Sequence, residues 1–227
     1  ENSVKLKGGT DCQDIFVEVS HGPTLIDNNI LLSRYALRIA TEGVGLLHNL
    51  ILGAFTMVGA GVDGWIEGRE QRRYTPYHIR HRTEVAGMMT ILHGDNRFYN
   101  NIFVQGHPIT NEEPKESPFY QQVGTHVWDE YPTYKEWIAK FDMEEEKPDM
   151  GKLEPAHFSH LPVWADGNVY LAGAKAWKKE KHNLVKDDAD VQIELLEEDG
   201  QYRLSTNLYD YLDGFTTGII NSDVLGK

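Results

Sequence analysis

Ile26-Asp27-Asn28-Asn29-Ile30-Leu31 is a short run in which an asparagine stands directly before an apolar stretch. The arrangement returns three times, as Leu47-His48-Asn49-Leu50-Ile51-Leu52, Phe98-Tyr99-Asn100-Asn101-Ile102-Phe103 and Asp166-Gly167-Asn168-Val169-Tyr170-Leu171. Asn29 and Asn49 lie about 20 residues apart, inside the period range of solenoids. The larger steps, to Asn101 and to Asn168, require long insertions between coils. The pattern predicts an all-β chain, a parallel β-helix in which short strands stack coil on coil about 4.8 Å apart. Asparagine suits such a column, because it tolerates left-handed turns and its amide can bond the coils above and below. A β-sandwich of short strands, with the asparagines as ordinary turn formers, is the alternative.

Upstream of the first repeat, Asp14-Ile15-Phe16-Val17-Glu18-Val19-Ser20 alternates strictly. Ile15, Val17 and Val19 form the apolar set for the interior, and Asp14, Phe16, Glu18 and Ser20 the outer set. Gly22-Pro23 then ends the strand in a turn. Two regions interrupt the repeat. Residues 56–82 are first glycine-rich and then basic and aromatic, with Arg69, Arg72, Arg73, Tyr74, Tyr77, His78, Arg80, His81 and Arg82. Residues 107–160 form the second insertion, and Tyr134, Trp137, Ile138 and Phe141 have helical spacing within it. Near the C-terminus, Val191–Leu195 and Tyr202–Ser205 flank Glu198-Asp199-Gly200, a hairpin signal. The division expected is coils with insertions over 1–186 and a hairpin, cap or part of a β-sandwich over 187–227.

Lys and Arg total 22 against 35 Asp and Glu, a net charge of −13 on 227 residues. This balance disfavours nucleic acid and anionic membranes, which are bound through clustered cations. No apolar run approaches the roughly 20 residues of a membrane span. The one cysteine, Cys12, excludes an internal disulfide framework and a Cys-based zinc cage.

Three places could carry chemistry. Glu18, on an outer strand position beside Phe16, is partly desolvated; that raises a carboxyl pKa and suits a general acid near neutral pH. His21 follows closely enough to orient Glu18 or to bond a substrate hydroxyl. His78, His81 and Glu84 recur at intervals of three, a spacing that would suit one metal on a helix face. Pro76 before them, Val85-Ala86-Gly87 after them and the surrounding arginines favour a polar loop over a substrate site instead. Each also has a plainly structural reading: a solvated strand carboxylate, a turn histidine and a structural loop.

Together these residues resemble a known family. The run Asp14 to Pro23 followed by Asp27-Asn28-Asn29-Ile30-Leu31 is similar to the β-xylosidases of glycoside hydrolase family 120. Further matches follow in order: His48-Asn49-Leu50-Ile51, Tyr77-His78, His81, Thr83-Glu84-Val85-Ala86-Gly87, Gly94 to Phe103 and, more weakly, Lys179 to Lys186. The resemblance covers residues 13–105 well and 160–190 loosely. It implies a right-handed parallel β-helix carrying an additional β-sandwich, and a retaining hydrolysis of xylo-oligosaccharides. It puts the general acid/base at Glu18 and the nucleophilic aspartate about one coil upstream, which falls before Glu1. The expectation is therefore a C-terminal portion of a larger enzyme. His21, His78, His81, Glu84 and Phe16 become the sugar-binding residues, with Trp65 as a second stacking surface. No metal or organic cofactor is needed. The partners implied are an oligosaccharide substrate and either the upstream half of the protein or further copies of the chain. Two alternatives stay open: a carbohydrate-binding β-helix without catalysis, and a glycosidase of another sugar specificity.

Overall fold

The computed structural model describes residues 13–17, 20, 22–57, 65–66, 69–70, 74–110, 121–141 and 150–212. Three parallel sheets make up its body, and the chain visits them in rotation three times, through β13. The first sheet joins β1 (Gln13–Val17), β4 (Tyr35–Ile39) and β7 (Ala54–Met57). The second runs β2 (Thr24–Asp27), β5 (Val44–Leu47), β12 (Asn96–Tyr99), β14 (Val163–Asp166). The third runs β3 (Ile30–Leu31), β6 (Leu50–Ile51), β13 (Ile102–Val104), β15 (Asn168–Leu171), β16 (Asn183–Lys186). Every pairing within these sheets is parallel. Strand order and direction are compatible with the coil stack that the repeat predicts.

The predicted asparagines line up. Asn29 donates from N and Nδ2 to Asn49 Oδ1, at 2.9 and 3.1 Å. Asn49 does the same to Asn101, and Asn101 to Asn168, all four bonds at 3.0 Å. Each of these three amides also donates to a strand carbonyl: Asn49 to Ile26, Asn101 to Leu46 and Asn168 to Phe98. The left-handed backbone falls one residue earlier than the sequence reading placed it. Asn28, His48, Asn100 and Gly167 carry positive φ, whereas the ladder asparagines do not. The turn residue makes the corner, and the asparagine after it is released to bond along the stack.

Inside the coils the apolar sets converge. Ile15 and Val17 pack against a core of Leu37, Ile39, Leu46, Ile51, Phe55, Phe98, Phe103 and Tyr170. Aromatic rings continue from coil to coil: Phe55 meets Phe103 edge-on at 5.7 Å, and Phe103 stacks on Tyr170 at 5.0 Å. Within 107–160, Val123, Val127, Trp128 and Tyr131 return to this core, and Gly124 bridges in parallel to Lys175. Trp128 lies 4.5 Å from Phe98 and 5.6 Å from Phe55. Part of that segment therefore packs on the core formed by the three sheets.

The helical spacing further on is realised as α1 (Tyr134–Ile138) followed by a single 3-10 turn. Thr133 caps it in a reciprocal box with Glu136. None of its residues is buried, so the apolar stripe does not serve the core. Between β7 and β12 come two antiparallel pairs, β8 (Trp65–Ile66) with β9 (Arg69–Glu70) and β10 (Tyr74–His78) with β11 (Val85–Thr90). A hairpin of β17 (Ile193–Glu198) and β18 (Gln201–Thr206) turns at Asp199 and Gly200, both at positive φ, as its sequence signal indicates. No helix among the described residues is long and apolar enough to cross a membrane.

Candidate functional site

The outer face of the first sheet presents one ordered column. Register pairs Phe16 with Arg38 and Arg38 with Thr56, so three outward side chains from three successive coils stand in line. Phe16 is 48% exposed, and Asp14 is also exposed, as the alternation predicts. The Arg38 guanidinium carbon lies 5.2 Å from the Phe16 ring centroid, so a cation already occupies part of this aromatic surface. Arg38 Nε and Thr56 Oγ1 are buried and hydrogen-bond to nothing among the described residues. No described carboxylate pairs with Arg38.

The strand ends around this column are held firmly. Asp14 accepts from Ser33 N at 3.0 Å and from Ser33 Oγ at 2.5 Å, which fixes the corner between the first two coils. Ala40 N donates to Val17 O at 2.9 Å, and Ser20 and Thr41 share a hydroxyl–hydroxyl bond of 2.7 Å. Thr41 Oγ1 donates in turn to the Ser20 carbonyl. Gly22 adopts φ +61°, and a Cβ there would lie 2.9 Å from the Glu42 carbonyl oxygen, so only glycine fits this corner. Glu18 and His21, the two leading candidates, fall outside the described residues, as does the side chain of Trp65.

The β10–β11 ribbon carries the other candidates. His78 closes β10, His81 sits in the turn at φ +60° and Glu84 directly precedes β11; all three are exposed. A spacing of three along a ribbon and its turn does not put them on one face as a helix would. His78 Nδ1 lies 3.0 Å from its own ribbon's Thr83 carbonyl oxygen, a local bond. The ribbon leaves the stack between the first and second sheets and returns where Leu92 N donates to Glu42 Oε2 at 2.9 Å. Among the described residues no hydrogen bond, ion pair or ring contact joins the three to the Phe16–Arg38–Thr56 column, so the structure does not bring them together. No described group of His, Cys, Asp or Glu side chains could hold a metal ion.

Two features escaped the sequence reading. One is the Arg38–Thr56 pair. The other is Glu180, which is buried and ends the asparagine ladder. Its Oε1 accepts from Asn168 N at 3.2 Å and Nδ2 at 2.8 Å, and its Oε2 from the Tyr170 hydroxyl at 2.7 Å. Burial raises its pKa to about 7, against the lowering effect of those three donors. An open groove of about 470 Å³ lies elsewhere, between the exits of β13 and β15, lined by Gln105, His107, Gln122, Gly173 and Lys175 among others. None of its lining residues belongs to the Phe16–Arg38–Thr56 column.

No family profile matches the chain, and no curated protein matches it. Among solved structures the chain is similar to the complex structure of XylC with xylose, at 35% sequence identity and a TM-score of 0.64. The match covers 86% of this chain and 26% of that one, so the chain spans about a quarter of the length of the XylC chain.

Proposed function

We propose that this chain is a stretch of a xylose-acting, retaining glycoside hydrolase of the family 120 β-xylosidase type, built as a right-handed parallel β-helix. The similarity to the xylose-complexed XylC, at 35% identity over 86% of the chain, is the observation that carries this reading. The ladder and the ordered outer column of the first sheet support it, because they supply a rigid surface on which sugar-binding groups can be held. In the same reading, residues 1–186 are coils interrupted at 56–82 and 107–160, and 187–227 form a C-terminal cap or part of a β-sandwich.

Glu18 is the general acid/base. It protonates the glycosidic oxygen as an aspartate on the neighbouring upstream coil attacks the anomeric carbon, and it then activates the water that releases the sugar. Adjacent coils suit such a pair, because the roughly 5 Å between carboxyl groups in a retaining enzyme is about one coil spacing. That aspartate falls before Glu1 in this numbering. His21 orients Glu18 or bonds a hydroxyl; Phe16 gives the site its apolar wall. His78, His81 and Glu84 border the sugar from the β10–β11 ribbon. The chemistry needs no metal or organic cofactor.

Glu18→Gln in the intact protein tests the assignment. Hydrolysis of xylobiose should fall roughly 10²- to 10⁴-fold, with melting temperature unchanged. Undiminished turnover of both xylobiose and nitrophenyl xyloside by the variant would remove Glu18 from the role.

A further inference from the structure

We infer that two copies of this chain associate through the β10–β11 ribbon of one and the β17–β18 hairpin of the other. The inference is independent of the glycosidase reading. Both elements are two-stranded, and a two-stranded hairpin is marginally stable in water unless one face is covered. One face of the ribbon is covered from within. Thr75 is buried, and the Tyr77 ring lies across Gly87, where a Cβ would come within 2.7 Å of it. The other face is bare. Register and alternation put Tyr74, Pro76 and Met88 on it, and Val85 stands opposite His78 at the bulge. Tyr74, Val85 and Met88 are 57, 59 and 60% exposed. Apolar side chains grouped in this way on the surface mark a place that meets another protein. The hairpin is covered only in part. Ile193 and Leu204 pack with Leu50, Val169 and Leu171 of the third sheet. Leu195 and Tyr202 follow on the same face of the hairpin and are exposed.

Charge selects the partner. Residues 69–90 carry five arginines against two glutamates, a local +3 in a chain of net −13. Residues 187–206 carry seven acids against one arginine, a local −6. Arg80 and Arg82 on the ribbon, and Glu194 and Glu197 on the hairpin, are exposed and form no ion pair among the described residues. The other basic stretch is engaged within its own chain: Lys175, Lys178 and Lys179 pair with Asp187, Glu130 and Glu136. Two chains of net −13 repel each other at long range, and a ribbon laid on a hairpin reverses that repulsion locally. Within one chain the two elements do not meet. The ribbon leaves between the first and second sheets, the hairpin packs on the third, and no hydrogen bond or ion pair joins them among the described residues. A two-fold axis between copies makes the contact twice, ribbon on hairpin and hairpin on ribbon.

Sedimentation velocity of the intact protein over a concentration series tests the contact. The wild type should sediment as a dimer that dissociates on dilution. Arg80→Glu with Arg82→Glu should raise the dimer dissociation constant roughly hundred-fold, and so should Glu194→Lys with Glu197→Lys. The chain with all four changes has its opposite charges restored and should recover most of the affinity. Met88→Asp should also give monomers, because it buries a charge in the apolar contact. All these positions are exposed, so each variant should keep a cooperative melt. A wild type that is monomeric at every concentration would overturn the inference. So would a dimer that neither pair of reversals weakens, or a cooperatively melting four-site variant that stays as weak as the two-site ones.

Discussion

Glu180 is a carboxylate that receives three donors where water barely reaches. Desolvation outweighs the donors and lifts its pKa from 4.5 to about 7, with the nearby charge of Asp166 adding to the rise. A folded-state pKa above the unfolded one means that protonation favours the fold. The stabilisation is complete below pH 4.5 and is lost as pH rises through about 7. The size is on the order of 3 kcal/mol, or roughly 5–10 °C in melting temperature for a chain of this length. The wild type should therefore melt lower at about pH 8 than at about pH 5. Glu180→Gln, which keeps an acceptor for Asn168, should flatten that difference in calorimetric scans. An unchanged pH slope in the variant would show that other groups set it. Glu136, whose pKa is pulled down to about 2 by its bond to Lys179, acts in the opposite sense and only below the ordinary carboxyl range.

At the level of elements, the ladder is where the chain invests its hydrogen bonds. Asn101 accepts from two atoms of Asn49 and donates to Leu46 O and Asn168 Oδ1, in a site with no exposed surface. Asn101→Ala strands those partners and should cost about 3 kcal/mol or more by denaturant melts. Asn29→Ala, at the half-exposed end of the row, should cost about 1 kcal/mol. Equal losses at the two positions would mean that burial does not govern the ladder. These asparagines were legible because the amide needs the same place in every coil, and a repeated need leaves a repeated letter. The outward parity of Asp14 and Phe16 was legible from strict alternation. Arg38 and Thr56 were not. In Tyr35-Ala36-Leu37-Arg38-Ile39 a register shift between Tyr35 and Leu37 buries three residues in succession, which erases the alternation. Glu180 was hidden because it ends the row once, with a residue type the repeat never uses. Trp128 was missed because its segment carries no asparagine signal, although it fills the space beside Phe55 and Phe98.

For the molecule as a whole, each strand of the three parallel sheets is held by the neighbours it pairs with. The strands with a partner on both sides, β4, β5, β6, β12, β13 and β15, should hold their amide protons longest. The edge strands β1, β2, β3, β7, β14 and β16, paired on one side only among the described residues, should open before them. Hydrogen exchange followed by mass spectrometry reads this directly; uniform protection along the stack would mean that the coils open as one unit. The acidic surface bears on partners at the same scale. At net −13, long-range electrostatics attracts cations, repels anions and leaves neutral ligands unaffected.

The asparagine row also has a polarity. Each amide gives one proton to the oxygen of the following rung and another to a backbone carbonyl, so the side-chain dipoles all point the same way, with their positive ends toward Glu180. An asparagine in that last place would need an acceptor of its own for its amide, whereas Glu180 accepts from Asn168 and Tyr170, and the row of amides stops there. Growth is therefore asymmetric: a duplicated coil could be spliced ahead of Asn29, whose oxygen can receive another rung, but not beyond Glu180.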